Sequence, residues 1–240
     1  MRRIGRKTAW FCIPLLMLAK ATLAGANAGG APVVEEPYQG QPVLSQQAGK
    51  PSPFSCHPAA ERLRTDMRKL WLDHANWMRD LQVSSLAGLE NREAVLARVL
   101  QNLQDIGNAL QPYYGKEAGN RLAELLREHD RIAGDLTEAI QKGHREDTFK
   151  YRTDWQRSAE DIAIFLNQAN PNWSDRLLEA RLGQLLDLAE DGLNARLSED
   201  WSTEIRLFDE AEECLIQLAD VLTEGIVKQF PERFAIPGPR

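Results

Sequence analysis

His74, in Asp73-His74-Ala75-Asn76-Trp77-Met78, is followed 31 residues later by Asp105 in Gln104-Asp105-Ile106-Gly107, and this spacing decides how the chain is read. The same spacing recurs twice. His129, preceded by Glu128, is followed 32 residues later by Asp161 in Glu160-Asp161-Ile162-Ala163. Leu188, preceded by Asp187, is followed 32 residues later by Asp220 in Ala219-Asp220-Val221-Leu222. Three copies of one unit, each a long helix, a short break and a second long helix, account for the pattern.

Apolar periodicity supports six helices. The first covers residues 58–87, with Leu63, Met67, Leu70, His74, Trp77, Met78 and Leu81 on one stripe, Pro58 in its first turn and Gly88 at its stop. The second covers 92–110 and closes at Pro112 and Gly115; the third covers 116–142 and stops at Gly143. The fourth covers 145–168, and Asn170-Pro171-Asn172-Trp173 then breaks the chain, because a residue before proline is pushed out of the helical region. Ser174 caps a fifth helix running to 197, and Ser198 or Ser202 caps a sixth running to 229. No alternating strand pattern occurs. The expected fold is all-α: a six-helix antiparallel bundle built from three helical-hairpin repeats.

The flanks have a different character. Arg2, Arg3, Arg6 and Lys7 precede an apolar run from Ala9 to Ala19, and Ala26-Asn27-Ala28 offers small residues for cleavage. Residues 1–28 therefore read as a signal peptide, with an uncleaved anchor as the rival reading. The run is too short for a stable membrane span. Residues 29–55 are rich in Gly, Pro and Gln and read as a flexible linker. Residues 56–234 are the bundle domain, and 235–240 a frayed tail. Periplasmic or secreted localisation follows. Cleavage removes five basic residues, leaving 24 against 35 acidic ones and a net charge of −11. That argues against nucleic acid as a partner.

Two histidines lie on apolar stripes. His74 and His129 stand about 15 and 14 residues from their hairpin turns, or roughly 21–22 Å below one end of the bundle. Cys214 falls near the same level on the last helix, and Met78 is one turn beyond His74. His74, His129, Met78 and Cys214 are the candidate metal ligands. They suit copper or zinc, or, with a His/Met pair, haem. Asp105, Asp161 and Asp220 instead lie roughly 140–160° from their stripe centres and belong on the outer faces. Trp71 lies at the edge of its stripe, a position suited to an inter-helix contact. No catalytic signature occurs: no His-Glu-x-x-His, no Gly-rich phosphate loop and no Gly-x-Ser-x-Gly. Cys56 and Cys214 sit at levels roughly 27 Å apart, too far for an intramolecular disulfide. Cys56 is then a surface thiol, either inert or available to a second chain for dimerisation.

The words His74-x-x-Trp77, Asp105-Ile106-Gly107-Asn108-Ala109-Leu110, Leu126-x-x-His129, Asn170-Pro171-Asn172-Trp173 and Thr223-Glu224-Gly225-Ile226 resemble an uncharacterised family of bacterial all-helical bundle proteins. Some of its members carry a glycosyltransferase label, although this chain has no α/β nucleotide-sugar domain. The resemblance implies the helical fold and a third histidine in relatives where Leu185 stands here; it implies no activity. The functional expectation is an exported, non-catalytic helical-bundle binding or interaction protein with a protein or small ligand as partner. The alternative is a soft-metal or haem-binding bundle.

Overall fold

A computed structural model describes residues 57–234. The expected signal peptide (1–28), linker (29–55), Cys56 and tail (235–240) lie outside the described residues. The fold is all-α, with no strand among the described residues. The described residues form five helices: α1 (Pro58–Leu86), α2 (Arg92–Lys142), α3 (Arg145–Ala169), α4 (Asp175–Leu197) and α5 (Trp201–Gln229), followed by a 3-10 turn at Pro231–Arg233. Each packs on the next, and α5 returns against α1 to close the ring.

The helix count differs from the expected six at one place. Pro112 lies within the first limb of α2, and the backbone leaves helical geometry at Gly115, with φ 86° and ψ 166°. That conformation is essentially restricted to glycine. One residue suffices to bend α2 back on itself. Gln104 bonds Asn120 at 3.3 Å and Arg127 at 2.5 Å. In a straight helix Gln104 and Asn120 would stand ~24 Å apart. Where the two limbs meet they touch through glycines. A Cβ added to Gly107 would lie 2.3 Å from the Gly119 carbonyl oxygen, and one added to Gly119 would lie 2.5 Å from that of Gly107.

The bend forms one end of the bundle, and the chain is pinned there. Asn170 is fully buried and donates to the Tyr114 hydroxyl at 2.9 Å. Trp173, also fully buried, donates its indole N–H to the Leu222 carbonyl at 3.1 Å. Its ring occupies the space left by the missing side chain of Gly225. Tyr113 stacks on Phe234, and Tyr114 packs edge-on to Phe230.

The opposite end holds the turns after α1, α2 and α4. Gly88 and Gly143 adopt left-handed geometry there, as their placement after helical stretches predicts. Ser174 caps α4, accepting from Leu177 N–H. The α5 cap is neither Ser198 nor Ser202. Asp200 accepts from Thr203 N–H at 3.1 Å, while the Ser202 hydroxyl donates to the Asp200 carboxylate at 2.9 Å. A carboxylate is the stronger acceptor at a helix N-terminus, where the peptide dipoles favour negative charge.

Candidate binding cavity

The bundle is hollow on the side of these turns. A cavity of about 930 Å³ lies between the helices. Native interiors hold few voids larger than a water molecule, and a volume equal to ~30 waters lies within the range of small-molecule sites. The walls are mostly apolar, with Leu96, Val99, Leu136, Leu182 and Phe208 among them. The cavity runs toward the turns, where Leu86, Arg92, Lys142 and Leu193 border it. His74 lies ~18 Å deeper than Leu86 along α1.

The lead positions of the sequence spacing, His74, His129 and Leu188, all line this cavity. So do the residues three positions earlier, Trp71, Leu126 and Leu185, and those one position later, Ala75, Asp130 and Ala189. None of the three repeated aspartates does. Asp105 accepts from Gln101 at 2.9 Å along its own helix. Asp161 is exposed and borders a charged surface hollow shared with Arg131 and Arg157. Asp220 takes both bonds of a fork from Arg68, at 2.7 and 2.5 Å, tying α5 to α1.

His74, His129 and Met78 therefore share one cavity, whereas Cys214 does not border it. The Cys214 thiol faces α4, 3.7 Å from the Arg181 carbonyl oxygen, and burial pushes its pKa up, favouring the protonated form. Among the described residues, no three His, Cys, Asp or Glu side chains gather closely enough to hold a metal ion. Trp71 belongs to the core, at 5% exposure, rather than to the edge of its stripe. The inward face of α1 is centred on Met67, Trp71 and Ala75, and His74 lies beside that line.

The inner end of the cavity is polar. His129 Nδ1 lies 2.8 Å from the Ser158 hydroxyl, which itself donates to the Trp155 carbonyl at 2.6 Å. With the hydroxyl proton so used, His129 Nδ1 is the donor, and Nε2 is left as an acceptor. Burial, reinforced by His74, holds the His129 pKa down at about 3, so the ring is neutral. The tilted Trp155 ring packs on it, with centroids 5.4 Å apart.

Asp130 is the residue that apolar periodicity passes over. Its Oδ1 stands 3.7 Å from His74 Nε2, beyond hydrogen-bond distance, and its Oδ2 has no hydrogen-bond partner. Burial pushes its pKa up to about 6 despite the opposing pull of His74. The sequence carries a signal for it: alanines follow His74 and Leu188, whereas a carboxylate follows His129.

A separate buried ion network borders the cavity near the turns. Glu204, 5% exposed, accepts from Arg79 at 3.1 and 2.9 Å and from Arg196 at 2.8 Å. Burial alone would raise its pKa, but these bonds prevail and hold it below the usual glutamate value. No described helix is long and apolar enough to cross a membrane. No family model, curated protein or solved structure matches the chain.

Proposed function

We propose that this chain is an exported, non-catalytic binding protein that holds an apolar small molecule inside its helical bundle. The cavity carries the reading. An apolar void of this size forfeits dispersion contacts on every wall, and a fitting apolar ligand restores them. We read the two limbs of α2 as separate helices, giving six helices in three hairpins that each present one face to a shared interior. The common lining positions of the three units support that reading. Resemblance to the uncharacterised all-helical family fits it and adds no activity.

Titrating the full chain with 1-decanol, followed by displacement of an environment-sensitive dye, tests the proposal. One saturable site per chain is expected. Absent or non-saturating displacement would contradict it.

A second reading is a soft-metal (copper or zinc) or haem site on His74, His129 and Met78. It draws on their shared cavity and on the acceptor nitrogen of His129. Elemental analysis and an absorption spectrum test it, with His74→Ala plus His129→Ala expected to abolish bound metal. Equal metal content in the double variant would end it.

A further inference from the structure

The inner end of the cavity holds unpartnered acceptors together with the unpartnered indole N–H groups of Trp71 and Trp155. Asp130 contributes a carboxylate with an unpartnered oxygen, and His129 contributes an acceptor nitrogen on a neutral ring. His74 Nε2 stands 3.7 Å from Asp130 Oδ1. The basic residues that border the cavity are engaged elsewhere: Arg79 with Glu204, Arg92 with Glu93, Arg127 with Gln104, Arg131 with Glu128 and Asp135, and Lys142 with Glu138. The rings of Trp71 and Trp155 flank the histidines, with Trp71 edge-on to His74 at 6.1 Å between centroids.

The position of Asp130 in the repeat strengthens the point. The equivalent lining residues of the other units are alanines, so the architecture does not require a carboxylate there. A buried carboxylate without a good partner is costly unless something completes it.

We propose that the Asp130 end of the cavity seats the protonated amine of a cationic amphiphile, whose apolar chain lies along the walls toward the turns. This rests on the binding reading above and specifies its ligand. The ammonium N–H groups donate to Asp130 and to His129 Nε2, and the indole faces favour a cation beside them. A carboxylate head would meet Asp130 as a like charge. A hydroxyl head would leave the negative charge of Asp130 uncompensated.

Decylamine, 1-decanol and decanoate differ only in the head group. Their dissociation constants for the full chain at pH 8, measured below micelle-forming concentrations, test the proposal. At that pH the amine is protonated. Decylamine is expected to bind about 10-fold or more tightly than decanol, because charge-assisted hydrogen bonds exceed neutral ones. Asp130→Asn should abolish the preference for decylamine over decanol, both measured on the same variant. Asp130→Ala, which installs the residue of the other units, should do the same, and thermal unfolding of both variants checks that they fold. Decanoate binding as tightly as the amine, or an amine preference surviving in both variants, would overturn the proposal while leaving apolar binding intact. If none of the three ligands binds, the binding reading fails and this inference fails with it.

Discussion

Replacing Asp130 by asparagine should change how stability varies with pH, in a direction set by two buried groups. Burial holds the Asp130 carboxyl up at about 6 and the His129 imidazole down at about 3. In the unfolded chain these groups titrate near ~3.9 and ~6.5. Between about pH 4 and pH 6, the folded chain keeps a proton on Asp130 that the unfolded chain has lost. It also lacks a proton on His129 that the unfolded chain has gained. As pH rises through this window, Asp130 therefore lowers stability and His129 raises it. Each slope is ~1.4 kcal/mol per pH unit, so two opposed contributions on the order of 3 kcal/mol nearly cancel. Asp130→Asn removes the falling component, and its stability relative to wild type should climb by on the order of 3 kcal/mol from pH 4 to above pH 6. His129→Gln should show the opposite trend, losing ground to wild type as pH rises through the same window. Other carboxylates held below their usual values, such as Glu128 and Asp200, contribute equally to all three proteins and drop out of the differences. Urea unfolding at pH 4, 5, 6 and 7 supplies the numbers. A constant difference between the asparagine variant and wild type would refute the buried, weakly partnered state assigned to Asp130.

Three substitutions examine the frame around the cavity. Gly225→Ala places a Cβ 1.9 Å from the Trp173 indole nitrogen; overpacking of ~1–3 kcal/mol should outweigh the ~1 kcal/mol helix gain and lower the unfolding temperature. An unchanged or higher temperature would show that Trp173 has room to move. Glu204→Ala leaves Arg79 and Arg196 without their shared carboxylate, and urea unfolding should register a loss of ~3–5 kcal/mol. A loss below ~1 kcal/mol would place that network with ordinary surface pairs. Gly115→Ala forces a side chain into φ 86° and should cost ~1–3 kcal/mol, whereas Gly134→Ala, with open space around its Cβ, should be neutral or slightly stabilising. Equal effects at the two glycines would remove the special role of the bend.

Periodicity made the long helices legible, placed the two histidines inward and turned the repeated aspartates outward, because each depends only on phase around one helix. Features set by how helices meet were harder to read. Leu63, Leu70 and Met78 pull the centre of the apolar pattern aside and leave Trp71 at its edge; contact with neighbouring helices puts it in the core. The bend in α2 looked like a helix end, since Pro112 and Gly115 are both breakers, yet only Gly115 leaves helical geometry. The cavity had no direct signature. An apolar stripe shows which face points inward, not whether opposing faces touch. In hindsight, Ala75, Ala133, Ala189 and Gly192 are small side chains at wall positions where larger ones would fill the space. Asp130 lies ~100° around the helix from His129, so periodicity leaves it off the stripe.

Ala75 offers the most direct test of the interior, since it lines the cavity and is nearly fully buried. In a packed core Ala75→Leu would cost ~1–3 kcal/mol. Into a void it should be neutral or stabilising, by up to ~2 kcal/mol at ~0.8 kcal/mol per buried methylene. The decisive measurement pairs the unfolding free energy of this variant with its affinity for 1-decanol. Retained stability together with binding weakened about 10-fold or more, equivalent to ~1.4 kcal/mol, is the predicted result. Marked destabilisation, or decanol affinity equal to wild type, would contradict the claim that this bundle encloses a ligand site.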